Sequence, residues 1–77
     1  MIQLKNIVND THSNASGFVF LTCLREELSK NNSAIVSLGG TGAMSTSFMN
    51  SSIGEYIETN GIEKFRSSVK FVDVTKT

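Results

Sequence analysis

The sequence predicts a small single α/β domain, residues 1–77, with the order β-α-β-α-β, a partly parallel sheet and its helices mainly on one face. Short apolar runs alternate with two stretches of helical period, and a polar or glycine-rich connection separates them. No proline, internal repeat or linker interrupts the 77 residues. Strands separated by helices imply right-handed crossovers and so parallel neighbours. Two main helices cover one face of such a sheet. The other face is then either polar or covered by another protein.

The first segment, Met1 to Val8, alternates apolar and polar residues from Ile2 to Lys5 before the pattern slips. It reads as a strand with one buried face. Asn9 to Gly17 is polar and rich in turn formers, whose short side chains compete for backbone hydrogen bonds, so it reads as a loop. From Phe18 to Lys30 the period changes. Phe20, Leu21, Leu24 and Leu28 fall on one side of a helix, and Arg25, Glu26, Glu27 and Lys30 fall on the other. Asn31 and Asn32 follow and supply its stop, since Asn tolerates a left-handed turn.

Ser33 to Leu38 is a short, nearly continuous apolar run, as in a strand buried on both faces of a parallel sheet. Gly39-Gly40-Thr41-Gly42 breaks it. A second helix is predicted from Ser47 to Asn60, with Met49, Ile53, Tyr56 and Ile57 on its inner face. Ser45 or Ser47 caps its start, Gly61 ends it, and a helical turn from Ile62 to Ser67 continues beyond. Val69 to Val74 alternates as a closing strand with Val69, Phe71 and Val72 inward, and Thr75 to Thr77 reads as frayed.

Composition narrows the function classes. The chain is 39% apolar and 18% charged, a globular balance. Seven basic and seven acidic residues cancel, which leaves no electrostatic footprint for a phosphate backbone. The phenylalanines sit mostly in apolar patterns and not among Lys and Arg, so nucleic-acid binding is not expected. No apolar run approaches the roughly 20 residues of a membrane span. The opening residues lack the basic-then-apolar order of a signal peptide. With Cys23 as the lone cysteine, the expected setting is a reducing cytoplasm. A chain this short buries only about 60% of its unfolded surface, so its stability rests on one compact core, a partner or self-association.

Catalytic residue sets are scarce. His12 and Cys23 are the only histidine and cysteine, one in a loop and the other in a core-facing helix. Buried free cysteine usually acts as a small hydrophobe. Two such residues fall short of the four Cys or His ligands of structural zinc, so neither a metal site nor a cofactor nor an enzymatic role is expected. The turn Gly39, Gly40, Thr41, Gly42 follows a strand and precedes a helix. Its amides offer a candidate cradle for a phosphate, although it completes neither a P-loop nor a dinucleotide fingerprint. The simpler reading is a sharp turn between two elements.

The stretch Ser45 to Gly54 crowds hydroxyl and amide side chains at a strand-to-helix junction, more than capping alone requires. A phosphoryl group on a serine there adds about two negative charges beside a positive helix end. Ser52 with Glu55 forms a capping box if the helix begins late.

Ile35-Val36-Ser37-Leu38, a glycine turn and Ser47-Phe48-Met49-Asn50-Ser51-Ser52 together resemble the signature of STAS domains, found in bacterial anti-sigma factor antagonists. The closer similarity is to the STAS-like family of unknown function, with Gly17 to Lys30 and Ser47 to Gly54 in its two helical places and Val69 to Val74 as its closing strand. Asn50 stands where both families favour aspartate, and Gly54 lies one or two positions later than the antagonist glycine. The chain also reads as shorter than a full STAS domain, short of a final helix. The resemblance implies a non-enzymatic regulatory module that docks a protein partner of the GHKL-type kinase or ATPase class. Ser51 and Ser52 are then the candidate phosphorylation sites. Thr41, Met44, Ser47, Asn50, Ser51 and Glu55 are the candidate partner-binding residues, with Gly40 to Tyr56 as the contact surface.

A reading from a different class is a small-ligand domain that holds a nucleotide or phosphorylated metabolite at Gly39, Gly40, Thr41 and Gly42. A third is a small self-associating inhibitor protein, a homo-oligomer carried by a bacterial or phage element.

Overall fold

The structure, a computed structural model, describes residues 1–73. Its elements in chain order are β1 (Ile2–Gln3), α1 (Leu4–Ile7), α2 (Asn14–Lys30), β2 (Ala34–Ser37), α3 (Thr46–Met49), a π turn (Asn50–Gly54), α4 (Glu55–Asn60), α5 (Ile62–Ser68) and β3 (Val69–Val72). The strands form one sheet in the order β1-β2-β3, and both pairings are parallel. Ile2 pairs with Val36, and Ala34 to Ser37 pair in step with Val69 to Val72. The α/β class and the parallel crossovers expected from the sequence are therefore present.

Alternation along the strands sorts side chains to two faces. Ile2, Ala34, Val36 and Val69 point into a core completed by Leu4, Phe20, Leu21, Leu24, Phe48 and Tyr56. Phe71 joins them through Phe65, ring centroids 6.2 Å apart. The long helices all lie on this face. On the opposite face Gln3 and Lys70 are exposed, and Ile35, in the central strand, is 41% exposed. The strand expected to be buried on both sides is thus open at Ile35, while Ser37, on the same face, is buried.

Several boundaries move. The first strand is two residues long instead of eight, because Leu4 begins a helical turn that carries Leu4 into the core. Helix α2 starts at Asn14, earlier than the expected Phe18, since Ser13 caps it by accepting the Ser16 amide at 3.2 Å. Asn14 to Gly17 therefore belong to a helix and not to a loop. Its end is not left-handed: Asn31 is extended (φ −128°), with its amide bonded to the Glu27 carbonyl. At the other end of the chain β3 stops at Val72, where Asp73 takes φ 56°, a left-handed value that an Asp accommodates. Val74 and the expected frayed end, Thr75 to Thr77, lie outside the described residues.

The second helix is where spacing misled most. Phe48, Ser52 and Tyr56 are buried, whereas Met49, expected on the inner face, is 41% exposed. The π turn explains it. An α-helix drifts by about 40° for every four residues, and a wider turn cancels that drift. Positions 48, 52 and 56 then stay in line against the core. The Ser52 hydroxyl donates to the Phe48 carbonyl at 2.7 Å, so its burial leaves no polar group unmet. The helix beyond ends at Gly61, whose φ of 91° suits glycine.

Candidate functional site

Two loops meet above the carboxyl ends of β1 and β2. Thr11 donates its hydroxyl to the Ala43 carbonyl at 2.7 Å, and the Ser45 amide donates to the Thr11 carbonyl at 2.9 Å. The Ser45 hydroxyl donates to the His12 carbonyl at 2.7 Å while accepting the Phe48 amide at 3.1 Å. Ser45, of the two caps weighed from the sequence, is thus the one used. It also ties the start of α3 to the loop before α2. Thr11 is buried, which fits its place as the stitch between the loops. Asp10 organises the same loop: Oδ1 accepts the amides of His12 and Ser13, each at 2.8 Å. These amide bonds hold its carboxyl below the usual range.

The glycine turn lies against Lys5. Gly40 has φ 79°, and a Cβ built there would sit 2.8 Å from Lys5 Cδ and 3.3 Å from Nζ. Thr41 is held by its own amide and hydroxyl, both donating to the Leu38 carbonyl. Gly39 leans the other way, its amide reaching the Ser37 hydroxyl, which donates to Asp73 at 2.7 Å. Lys5, Asn9, Thr11, His12, Gly40 and Gly42 share one cleft of about 360 Å³. Of the sequence-level ligand residues it takes Gly40, Thr41 and Gly42 but not Gly39. The alternation of Ile2 to Lys5 predicts a strand and so gives no sign that Lys5 reaches the turn, and nothing local to Thr11 marks its bond to Ala43, 32 residues away.

The serine stretch runs from this loop junction, at Ser45, onto the helix beyond. Ser47, Asn50 and Glu55 are exposed, Thr41, Met44 and Ser51 are half-buried, and Ser52 is fully buried. The structure therefore separates the two phosphorylation candidates: Ser51 reaches solvent, and Ser52 has its hydroxyl committed inside the core. The capping box of Ser52 with Glu55 does not form, because the helix has already begun at Thr46. Ser51 donates its hydroxyl to Asn14 Oδ1 at 3.1 Å, across the crossing of α2 and the π turn. At the same crossing, a Cβ on Gly17 would come within 2.8 Å of both the Phe48 carbonyl oxygen and Ser51 Cβ.

A family model described as a STAS-like domain of unknown function matches residues 16–77. The chain belongs to that family. The matched span begins in the first turn of α2 and includes the glycine turn, the π turn and β3, so the STAS-like core holds Ser51 and its surroundings. β1, Lys5 and the Asn9–His12 loop precede it. No curated protein and no solved structure matches the chain.

His12 and Cys23, the only histidine and cysteine, line different pockets of this STAS-like fold. His12 belongs to the polar cleft, and Cys23 lines an apolar groove with Ile7, Phe18, Val19, Thr22 and Glu26. Among the described residues there is no cluster of three or more His, Cys, Asp or Glu side chains suited to a metal. No helix of the described residues is long and apolar enough to cross a membrane.

Proposed function

We propose that this STAS-like chain is a non-enzymatic, cytoplasmic regulatory module that docks a protein partner through the surface from Gly40 to Tyr56. Phosphorylation of Ser51 is its switch. The observation that carries the reading is the Ser51–Asn14 hydrogen bond at 3.1 Å, made by a solvent-reaching serine at the joint between two helices. A phosphoryl group there removes the hydroxyl donor and adds about two negative charges. Gly17 packs closely under Ser51 Cβ, so the room for such a group lies on the solvent side. Ser47, Asn50 and Glu55, exposed around the same helix, are the polar side chains a partner would meet first. Family membership supports the reading through the more distant similarity to anti-sigma factor antagonists, whose partners are GHKL-type kinases.

The test is recovery of the tagged protein from its native host with identification of co-purifying chains and an intact mass. Stoichiometric capture of one protein by the wild type and by Ser51→Ala, lost in Ser51→Asp while circular dichroism is unchanged, is the expected result. Normal capture by Ser51→Asp would sink the switch. Recovery of the wild type alone and unmodified would sink the docking reading itself.

A further inference from the structure

We infer that the cleft between the Asn9–His12 loop and the Gly40–Gly42 turn binds a small phosphorylated metabolite, with the Lys5 ammonium as its principal anchor. The cleft shares the Gly40–Gly42 turn with the proposed docking surface but does not include Ser51, and its test does not depend on the docking reading. Its position is the first argument. Ligands of parallel α/β sheets bind outside the carboxyl ends of the strands, and this cleft sits above the ends of β1 and β2. Its volume of about 360 Å³ lies within the range of small-molecule sites.

The unspent chemistry of the lining is the second argument. Thr11 and Thr41 have given their hydroxyls to the Ala43 and Leu38 carbonyls. Asp10 lines the cleft as a carboxylate, but Oδ1 is turned onto two backbone amides and Oδ2 lies 3.4 Å from the Ser13 hydroxyl, so its charge is met largely by the donors of its own loop. What remains is mostly donors. Among the described residues the Gly40 and Gly42 amides have no acceptor. The one ion pair among the described residues joins Arg66 to Glu63, so Lys5 faces the turn without a carboxylate partner. The side chains of Asn9 and His12 are uncommitted on the opposite wall. An ammonium beside free amides of a glycine turn favours an anionic oxygen cluster. The space beyond it, with Asn9 and His12, suits the polar body of a metabolite larger than the phosphate alone.

The three hydrogen bonds that stitch Thr11 and His12 to Ala43 and Ser45 fix the two walls relative to one another before any ligand arrives. A preformed site loses less on binding than one assembled around its ligand.

Titration of the isotopically labelled protein with ribose 5-phosphate, inorganic phosphate and ribose, read by amide NMR, tests the inference. Saturable shifts confined to Lys5, Asn9 to His12 and Gly40 to Gly42 are expected with the two phosphates, tighter for the sugar phosphate, and none with ribose. Lys5→Gln should weaken binding about tenfold or more, and Lys5→Arg should retain it, with the remaining spectrum unchanged in both. Absence of saturable shifts, shifts centred elsewhere, or equal affinity in Lys5→Gln would each overturn it.

Discussion

The rings of Phe20 and Phe48 lie stacked, with centroids 6.0 Å apart and planes inclined by 9°. Both are completely buried, one from each of the two long helical segments, so together they form the joint between those helices. Truncating Phe48 to alanine should cost about 3–5 kcal/mol, a large share of the stability of so small a domain. Urea unfolding followed by circular dichroism measures it, and a loss under about 1 kcal/mol would show that the helices are held by other contacts.

Gly17 is the second point of closest approach. Because a Cβ there meets the Phe48 carbonyl and Ser51 Cβ at 2.8 Å, Gly17→Ala must push α2 off the π turn, a cost of about 1–3 kcal/mol. Gly42→Ala is the matched control, with nothing within 4 Å of the added methyl. Equal stability for the two variants would contradict the crossing geometry.

Asp10 should make the fold acid-sensitive. Its carboxyl is lowered by the backbone amides of His12 and Ser13, so its contribution is present above the unfolded value of about 4 and is lost as pH falls through the lower folded value. Asp10→Asn should flatten that part of the stability profile below about pH 4. An unchanged profile between pH 2 and 5, roughly, would mean the amide bonds do not persist in solution.

Cys23 should react sluggishly. Burial, with smaller contributions from Glu26 and Glu27, pushes its thiol up, so little thiolate exists at neutral pH. Alkylation by iodoacetamide should be slower in the native protein than in denaturant at the same pH. Equal rates would remove the claim.

How much of this was legible in the sequence depended on the range of each signal. The inner face of α2 was readable because Phe20, Leu21 and Leu24 keep one helical period against one sheet. Gly61 was readable as a stop because only its own backbone is involved. The second helix was misread at Met49 because a π turn changes the period without leaving a residue that announces it. Ser51 and Ser52 stood together as candidates, and the burial of Ser52 was not legible, since its hydroxyl is satisfied by a backbone carbonyl that no residue type encodes. The cleft was half seen: its glycines are a local signal, whereas Lys5 arrives through the unexpected turn of α1, and Thr11 through a bond to a distant loop.

The parallel sheet has a bearing on how the molecule comes to exist at all. With Ile2 beside Val36 and Ala34 beside Val69, each strand pairs in parallel with the next across a helical crossover, so among the described residues no hairpin can form early and wait. During synthesis the first pairing must await the emergence of β2 and the second that of β3. Acquisition of structure is then a late and collective event, paced by distant encounters instead of local ones. Until it happens the apolar segments stand open to chaperones, proteases and one another.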